Sequence, residues 1–458
     1  MNILLVESHY RSRTWFKALQ GLGDINIISV LPEEKAIFLS GGVSNESILD
    51  LHNPILDQYE FLTAENYLRE LELELGFCVN EIIQMDRTLR LKDYIYITKY
   101  VYHIAKNIRE FVEEKNIEIV FIEPTWTHEI IISKICEFMR IPVLAPVKDK
   151  ILPNRFLMFK GYLHNEHFSR DCQDGTDLAK TLINSISLPN KKPQYFKKFN
   201  NRNNFTLSKF RVLYDISKLA IFKQKNINIQ PPWFKAVKKK LFSIMRAKYL
   251  LFFGPFVKQS DIAQKYVLVT LHVQPEASID VVGAKYSDQI DFVRQIVRTT
   301  PIDHLVVVKE HPHAFGDRDS NFYNALISMP RVLILAPFEE SREAIKRAQL
   351  VISNTGTSSL EAAIVGVPGV TAIEMYFKDL MVVPSFNPSV DRVDEIILKA
   401  GKWKNEFSIA HVQNVIAAVQ KNSFEGNSGD FKTDPDVMSD ANIEFLRNAF
   451  SEAINNFR

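Results

Sequence analysis

Two apolar runs, each ending in a polar loop, dominate the pattern of the chain. Leu305–Val308 runs directly into Lys309-Glu310-His311-Pro312, and Val351–Ser353 into Asn354-Thr355-Gly356-Thr357-Ser358-Ser359. Both runs lack the in–out alternation of a strand with one wet face, so each predicts a strand buried on both faces of a sheet. The second loop opens a stretch of helical periodicity. In an open parallel sheet, ligands sit outside the carboxyl ends of the strands. Cationic side chains at one such end and a helix N-terminus at another suit an anionic ligand such as a nucleotide.

The same alternation organises the rest of the chain. Tyr266–Leu271, His304–Val308, Val332–Leu335, Leu350–Ser353 and Val370–Ile373 read as strands. Ser287–Arg298, Phe322–Ser328, Ser341–Ala348 and Ser358–Val365 read as the helices between them. This predicts a Rossmann-like domain over residues 261–390. Near the N-terminus, Asn2–Val6, Ile25–Val30, Ile117–Ile122 and Pro142–Ala145 read as strands, and Arg13–Leu22 and Glu129–Met139 as helices. Residues 44–115 read as helical, Asn154–Phe156 as loop and Asp171–Thr176 as a turn. A first Rossmann-like domain is expected over residues 1–190. Residues 191–260 form an insertion in which Trp233–Met245 has amphipathic spacing, and residues 391–458 are mainly helical. The expected class is α/β, with two Rossmann-like domains facing a cleft, the GT-B architecture.

Composition narrows the function classes. The chain has 458 residues, 46% hydrophobic and 24% charged, which excludes global disorder and fits two or three domains. The three cysteines, Cys78, Cys136 and Cys172, are too far apart to suggest a disulfide framework or a zinc site. A reducing cytoplasm is expected. The N-terminus reads as a strand, not a signal peptide. No apolar run approaches the roughly 20 residues needed to span a bilayer; Tyr249–Val257 falls well short and contains Gly and Pro.

The net charge of +2 hides an asymmetry: Lys191–Lys258 carries 17 Lys/Arg and one acid, Asp215. Eleven Phe and Trp residues interleave with these cations. This density predicts contact with an anionic surface, a membrane surface before a nucleic acid, because no recognised nucleic-acid module surrounds it. The plain alternative is a solvated charged face.

Each candidate group has a functional and a structural reading. His311, with Lys309, can meet a phosphate, and Pro312 stiffens the loop. Glu310 can fix the imidazole tautomer or contact a sugar; the alternative is a charged turn with a capping histidine. Gly356 permits backbone conformations that other residues avoid. Thr355, Thr357, Ser358 and Ser359 offer hydroxyls and amides at a positive helix end, and Glu361 lies within reach of ribose hydroxyls. The alternative there is a capping box from Ser358 to Glu361.

A third strand end, His272-Val273-Gln274-Pro275-Glu276, adds an imidazole, an amide and a carboxylate to the same rim. Glu7 and His9 follow the first strand of the N-terminal domain, and Glu123–His128 a later one. Activation of an acceptor hydroxyl needs a carboxylate or imidazole within hydrogen-bond reach. Glu7, His272 and Glu276 are the candidate catalytic groups, with Gln274 among the donor-binding ones. For Glu7, a capping or salt-bridged role is the rival. His52, His103 and His411 have no such context.

Leu271–Glu276 (LHVQPE), Val308–Pro312 (VKEHP) and Thr355–Ala362 (TGTSSLEA) resemble the capsule polysaccharide biosynthesis family, which includes Kdo transferases. Their order matches, with Asp288-Gln289 and Phe322-Tyr323 between them. The resemblance covers residues 266–376, and the basic segment has no counterpart. It implies a CMP-activated 3-deoxy acid sugar as donor, no metal, and no further cofactor. It places His311 on the CMP phosphate and Thr357, Ser358 and Ser359 on the phosphate or sugar carboxylate. A lipid-linked or saccharide acceptor at the inner face of the cytoplasmic membrane is expected, with a UDP-sugar transferase, a UDP-N-acetylglucosamine 2-epimerase-like enzyme or a non-catalytic assembly component as alternatives.

Overall fold

The computed structural model describes residues 1–7, 10–170, 233–432 and 434–457, with side chains from 237 onward in the second span. The turn expected at Asp171–Thr176, His9, and the basic segment up to residue 232 lie outside these. The chain is an α/β protein built of two Rossmann-like units. The first takes residues up to 170 and from 420 onward, the second residues 233–419.

The first unit runs β1 (Asn2–Val6), α1 (Arg11–Leu19), β2 (Asp24–Ser29), α2 (Pro32–Ser40), β3 (Ile48–Asp50), α3 (Phe61–Leu75), α4 (Val79–Met85), α5 (Tyr94–Glu114), β4 (Ile119–Phe121), α6 (Thr127–Phe138), β5 (Val143–Lys148) and β6 (Arg155–Lys160). The continuously apolar runs are buried as expected: Ile3 to Val6 and Ile119 to Phe121 have no exposed surface. Strands β3-β2-β1-β4-β5 pair in parallel, and β6 adds on antiparallel to β5.

Two features depart from the sequence expectation. Residues 44–115 contain β3, and Arg155–Lys160, expected to begin as loop, is a strand with Phe156 to Phe159 buried.

The second unit runs α7 (Trp233–Phe253), β7 (Phe256–Val257), β8 (Tyr266–Thr270), α8 (Gln289–Thr299), β9 (Leu305–Lys309), α9 (Ser320–Ile327), β10 (Val332–Leu335), α10 (Ser341–Arg347), β11 (Leu350–Ser353), α11 (Thr357–Ile364), β12 (Gly369–Thr371), α12 (Val393–Glu406) and α13 (Ile409–Asn422). All six strands pair in parallel, in the order β12-β11-β8-β9-β10-β7. α7 runs on past the expected Met245 into Tyr249–Phe253.

Residues 391–458 do not form one separate region. After α13 the chain returns to the first unit through β13 (Phe424–Glu425), which pairs antiparallel with β6, and α14 (Asp440–Asn456). Leu446, Ala449, Phe450, Ala453 and Ile454 of α14 enter the core formed by β1, β4 and α1. The Phe450 ring meets Phe121 edge-on at 4.7 Å. Such buried aromatic pairs carry large hydrophobic area, which is what recruits a distant helix.

Candidate functional site

The strand order places the site. In the second sheet, after the two-residue edge strand β7, the chain enters the middle at β8, moves out through β9 and β10, then returns to the other side of β8 with β11 and β12. The order reverses between β8 and β11, and in open α/β sheets the loops leaving such a pair diverge into a ligand crevice. His272 lies just past the end of β8 and Thr355 just past the end of β11. The two touch: the Thr355 N–H donates to His272 Nε2 at 3.3 Å. An Nε2 that accepts this N–H carries no proton of its own.

The loop after β8 is braced from beneath. Gln289, in the first turn of α8, accepts the His272 N–H at 2.7 Å and donates to Gln274 Oε1 at 3.0 Å. Gln274 in turn donates to buried Asp280 at 2.8 Å, and the other Asp280 oxygen accepts the Glu276 N–H at 3.0 Å. Gln274, expected on the donor, is thus consumed in holding its own loop. The Glu276 side chain is exposed on the rim.

At the end of β9 the structure corrects two expectations. Lys309 is buried and donates to the carbonyl of Pro337 at 2.7 Å. It pairs in register with Leu335 of β10, so its ammonium caps the carbonyls where that neighbouring strand ends. Burial lowers its pKa to about 8. Glu310 is fully buried, accepting the His311 N–H at 2.7 Å, the Tyr323 hydroxyl at 3.0 Å and Arg318 Nε at 3.1 Å. Burial raises its pKa against the opposing pull of Arg318. Neither side chain is left over for a phosphate or a sugar.

His311 is the group this loop presents. Its Nδ1 accepts the His313 N–H at 3.2 Å, so the proton sits on Nε2. His313, not Glu310, therefore fixes the tautomer. Burial, together with His313, Lys309 and Arg318 nearby, lowers the His311 pKa to about 4. At neutral pH it is an uncharged hydrogen-bond donor. Buried Pro312 opens the turn behind it.

Arg318 escaped sequence reasoning and is the hinge of the arrangement. It donates from Nη2 to the His272 carbonyl at 2.5 Å and from Nε to Glu310, and its guanidinium lies 4.3 Å over the Phe322 ring. One side chain thereby ties the β8 loop to the β9 loop. Its signal in sequence was only an arginine in a polar turn, GDRDS, seven residues past His311.

The loop after β11 divides between inside and outside. Asn354 is buried and donates to the carbonyls of Gly283 and Tyr286, both at 3.1 Å. Thr355 is buried, its hydroxyl donating to the Ser278 carbonyl at 2.9 Å. Ser359 is buried and donates to the Val370 carbonyl at 2.7 Å. These three serve the fold.

Gly356 is the N-cap of α11, so the helix starts one residue earlier than expected, and no Ser358–Glu361 capping box forms. The glycine has φ −77°, an ordinary value. What it provides is room: a Cβ there would lie 3.3 Å from His272 Cε1 and 3.2 Å from Ser353 Cβ. Thr357 and Ser358 are partly exposed at the helix start, where the first-turn amides have no partner within the helix. Ser358 shares a hydroxyl contact with Thr270 at 2.5 Å. Glu361 is exposed and accepts from Thr357.

The second unit thus presents His272, His311, Thr357 and Ser358 just past the carboxyl ends of β8, β9 and β11, with Glu276 and Glu361 exposed in the same loop and helix segments.

No family model matches the chain, and no curated protein does. Among solved structures it is similar to the beta Kdo 2,7 transferase of Thermosulfurimonas dismutans KpsC, at 13% identity over 75% of this chain and 90% of that one, TM-score 0.34. It is similar also to the beta Kdo 2,4 transferase of the same KpsC, at 13% identity over 73% and 87%, TM-score 0.32. A third similarity is to a UDP-GlcNAc 2-epimerase of Methanocaldococcus jannaschii, at 12% identity over 92% and 99%, TM-score 0.26.

The first unit has its own reversal, between β1 and β4. Glu7 follows β1 but is 1% exposed. Its Oε2 accepts the Ser29 hydroxyl and the N–H groups of Val30 and Leu31 at 2.7–2.9 Å, anchoring the loop between β2 and α2. Burial raises its pKa to about 8. That is the capping role, and it leaves Glu7 out of reach of an acceptor. Glu129 acts likewise on the loop before α6, accepting from Thr125 and Trp126. Glu123 pairs with Arg11 at 2.6 Å.

A surface cavity of about 630 Å³ in this unit, bounded by Asn2, Asp24 and Lys115, lies at the amino ends of β1 and β2, the edge opposite to that used for ligands. Among the described residues, no group of three or more His, Cys, Asp or Glu is placed to hold a metal ion.

Proposed function

We propose that the protein is a glycosyltransferase of bacterial surface polysaccharide synthesis that binds its nucleotide-sugar donor in the second unit. One observation carries this reading: a neutral Nε2–H imidazole, His311, follows β9, and the hydroxyl-bearing start of α11 follows β11, the two strands that flank β8 beside the point where the strand order reverses. Both are donors without formal charge, suited to a phosphodiester whose negative charge grows as the sugar leaves. The LHVQPE, VKEHP and TGTSSLEA motifs support a CMP-activated donor, Kdo or a nonulosonic acid.

In the reaction the bond from the anomeric carbon to the phosphate oxygen breaks. The electron pair leaves with CMP, and the acceptor hydroxyl forms the new bond as it loses its proton. His272 Nε2 already accepts from Thr355, so exposed Glu276 is the group of this unit assigned to take that proton. The acceptor is a lipid-linked saccharide or a growing glycan.

The test is a thermal-shift panel of CMP, CDP and UDP, followed by transfer assays with CMP-Kdo and CMP-sialic acid. CMP should stabilise the protein, and His311→Ala should abolish that shift and transfer together. Unchanged CMP binding in His311→Ala would remove the site. A response to UDP alone would move the assignment to a UDP-sugar transferase or 2-epimerase. Donor binding without turnover across acceptors would favour an assembly component.

A further inference from the structure

The outward face of α7 has no role in that site. Its inward face is fixed: Ser243, Ile244, Ala247 and Leu250 are buried, and Ala247 and Leu250 join the core of the second unit. At about 100° per residue, Leu241, Phe242, Met245, Tyr249, Phe252 and Phe253 fall on one stripe roughly 120° wide, facing away from that core. They are 45%, 50%, 65%, 56%, 75% and 73% exposed. A helix at the surface of a globular protein ordinarily turns its polar residues outward; this one turns out four aromatics, a leucine and a methionine. Lys238 lies in the stripe, with Lys248 and Arg246 along its edges. Between Trp233 and Lys258 the chain has seven Lys/Arg and no acid.

We propose that this face of α7 lies in the headgroup layer of an anionic lipid bilayer. Large apolar side chains collared only by cations are what an interfacial helix presents: the rings enter the acyl boundary while lysines reach the phosphates. Among the described residues no helix is long and apolar enough to cross a membrane, so the helix lies on the surface. A second copy of the chain would set one cationic face against another. A nucleic acid would match the lysines but offers no counterpart to Leu241 and Met245.

The seat also has a consequence for the site. Gly316, at φ +84°, touches α7 so closely that a Cβ would lie 2.4 Å from the Ser243 carbonyl, and Asp317 accepts from the Ser243 hydroxyl. Arg318 follows directly. The loop that ties the strand ends together therefore rests against the membrane helix, roughly one helix diameter (about 10–12 Å) from the lipid.

The test is sedimentation of the full chain with vesicles of phosphatidylcholine alone and of an equal mixture with phosphatidylglycerol. The unaltered chain should sediment with the mixed vesicles and not with phosphatidylcholine alone. Phe252→Ser/Phe253→Ser should weaken binding about tenfold or more, because two large rings lose their apolar surroundings. Lys238→Glu/Lys239→Glu should weaken it comparably, and each variant should keep the thermal midpoint of the unaltered chain. The proposal is overturned if the serine variant binds mixed vesicles as the unaltered chain does. It is overturned equally if the chain prefers an oligonucleotide to these vesicles, or if the serine variant's effect is to abolish self-association. The readout is lipid binding, so it stands or falls separately from the donor assignment.

Discussion

Replacing Arg318 with alanine should cost the second unit about 3–5 kcal/mol, the range for breaking one partner of a buried ion pair. The guanidinium is 10% exposed and the Glu310 carboxylate 0%, so little water screens the pair. Alanine leaves that carboxylate with two donors, the Tyr323 hydroxyl and the His311 N–H. It also removes a charged hydrogen bond to the His272 carbonyl, worth about 1.5–3 kcal/mol, and a cation–π contact with Phe322, worth about 0.5–2 kcal/mol. These losses share one side chain and do not add. Protonation of Glu310, whose pKa burial already raises, sets a ceiling on the total.

The assay is urea unfolding of the full chain, followed by hydrogen exchange of the β8 and β9 amides, because two units need not unfold in one step. Glu310→Gln/Arg318→Met removes both charges and should cost less than half as much as Arg318→Ala, since neither charge is stranded. Arg318→Ala within about 1 kcal/mol of the unaltered chain, or a double variant no more stable than the single, would falsify the ion-pair hinge; the measured range for such pairs is several-fold larger.

The pH dependence of the same unit follows from His311. Its folded pKa, about 4, lies below the value near 6.5 of an unfolded histidine, so the unfolded chain binds the proton first as pH falls. Stability is complete above about 6.5 and is lost toward about 4, by about 3 kcal/mol at full weight and about 1–2 kcal/mol once partial exposure is allowed for. Urea midpoints across this window should flatten in His311→Asn, and an unchanged slope would assign the effect elsewhere. In the first unit, Glu7→Ala strands three donors and should cost about 3 kcal/mol or more. Glu7→Gln keeps an acceptor oxygen and should cost less than half of that by thermal denaturation, whereas equal losses would show that the charge itself matters. Gly356→Ala fits its φ but presses on His272, so it should change stability by less than about 1 kcal/mol while weakening CMP binding. Unaltered CMP affinity in that variant would detach His272 from the crevice.

The sheets were legible wherever a run was apolar throughout, because a strand buried on both faces leaves no alternation to misread. That is why β8 to β12 and their four helices stand nearly where expected. Pairings across great sequence distance were not legible. Arg155 donates to the Ser423 hydroxyl at 2.7 Å across 268 residues, and nothing local in either segment announces that partner. The joining of α14 to the first unit is of the same kind: its apolar face was visible, but its destination was not. Arg318 was invisible for a related reason, since its importance lies in joining two loops separated in sequence by a strand and a helix.

The candidate site was legible by chemistry but not by orientation. Both strand-end motifs combine residues that face out with residues that face in, and spacing alone does not separate them. Lys309, Glu310, Thr355 and Ser359 are polar because the strand ends must satisfy buried carbonyls and amides, which are costly to leave unpaired. His311, Thr357 and Ser358 are polar without that obligation. The two sets depend on each other, because a site binds tightly only if its donors are held in place before the ligand arrives. Here the buried set does the holding: Asp280 and Gln289 fix the β8 loop, Asn354 fixes the β11 loop, and Arg318 locks the β8 loop to Glu310. Loss of a buried member should therefore reach function through displaced loops, raising KM along with lowering stability, while loss of His311 should remove donor binding from a unit that still folds.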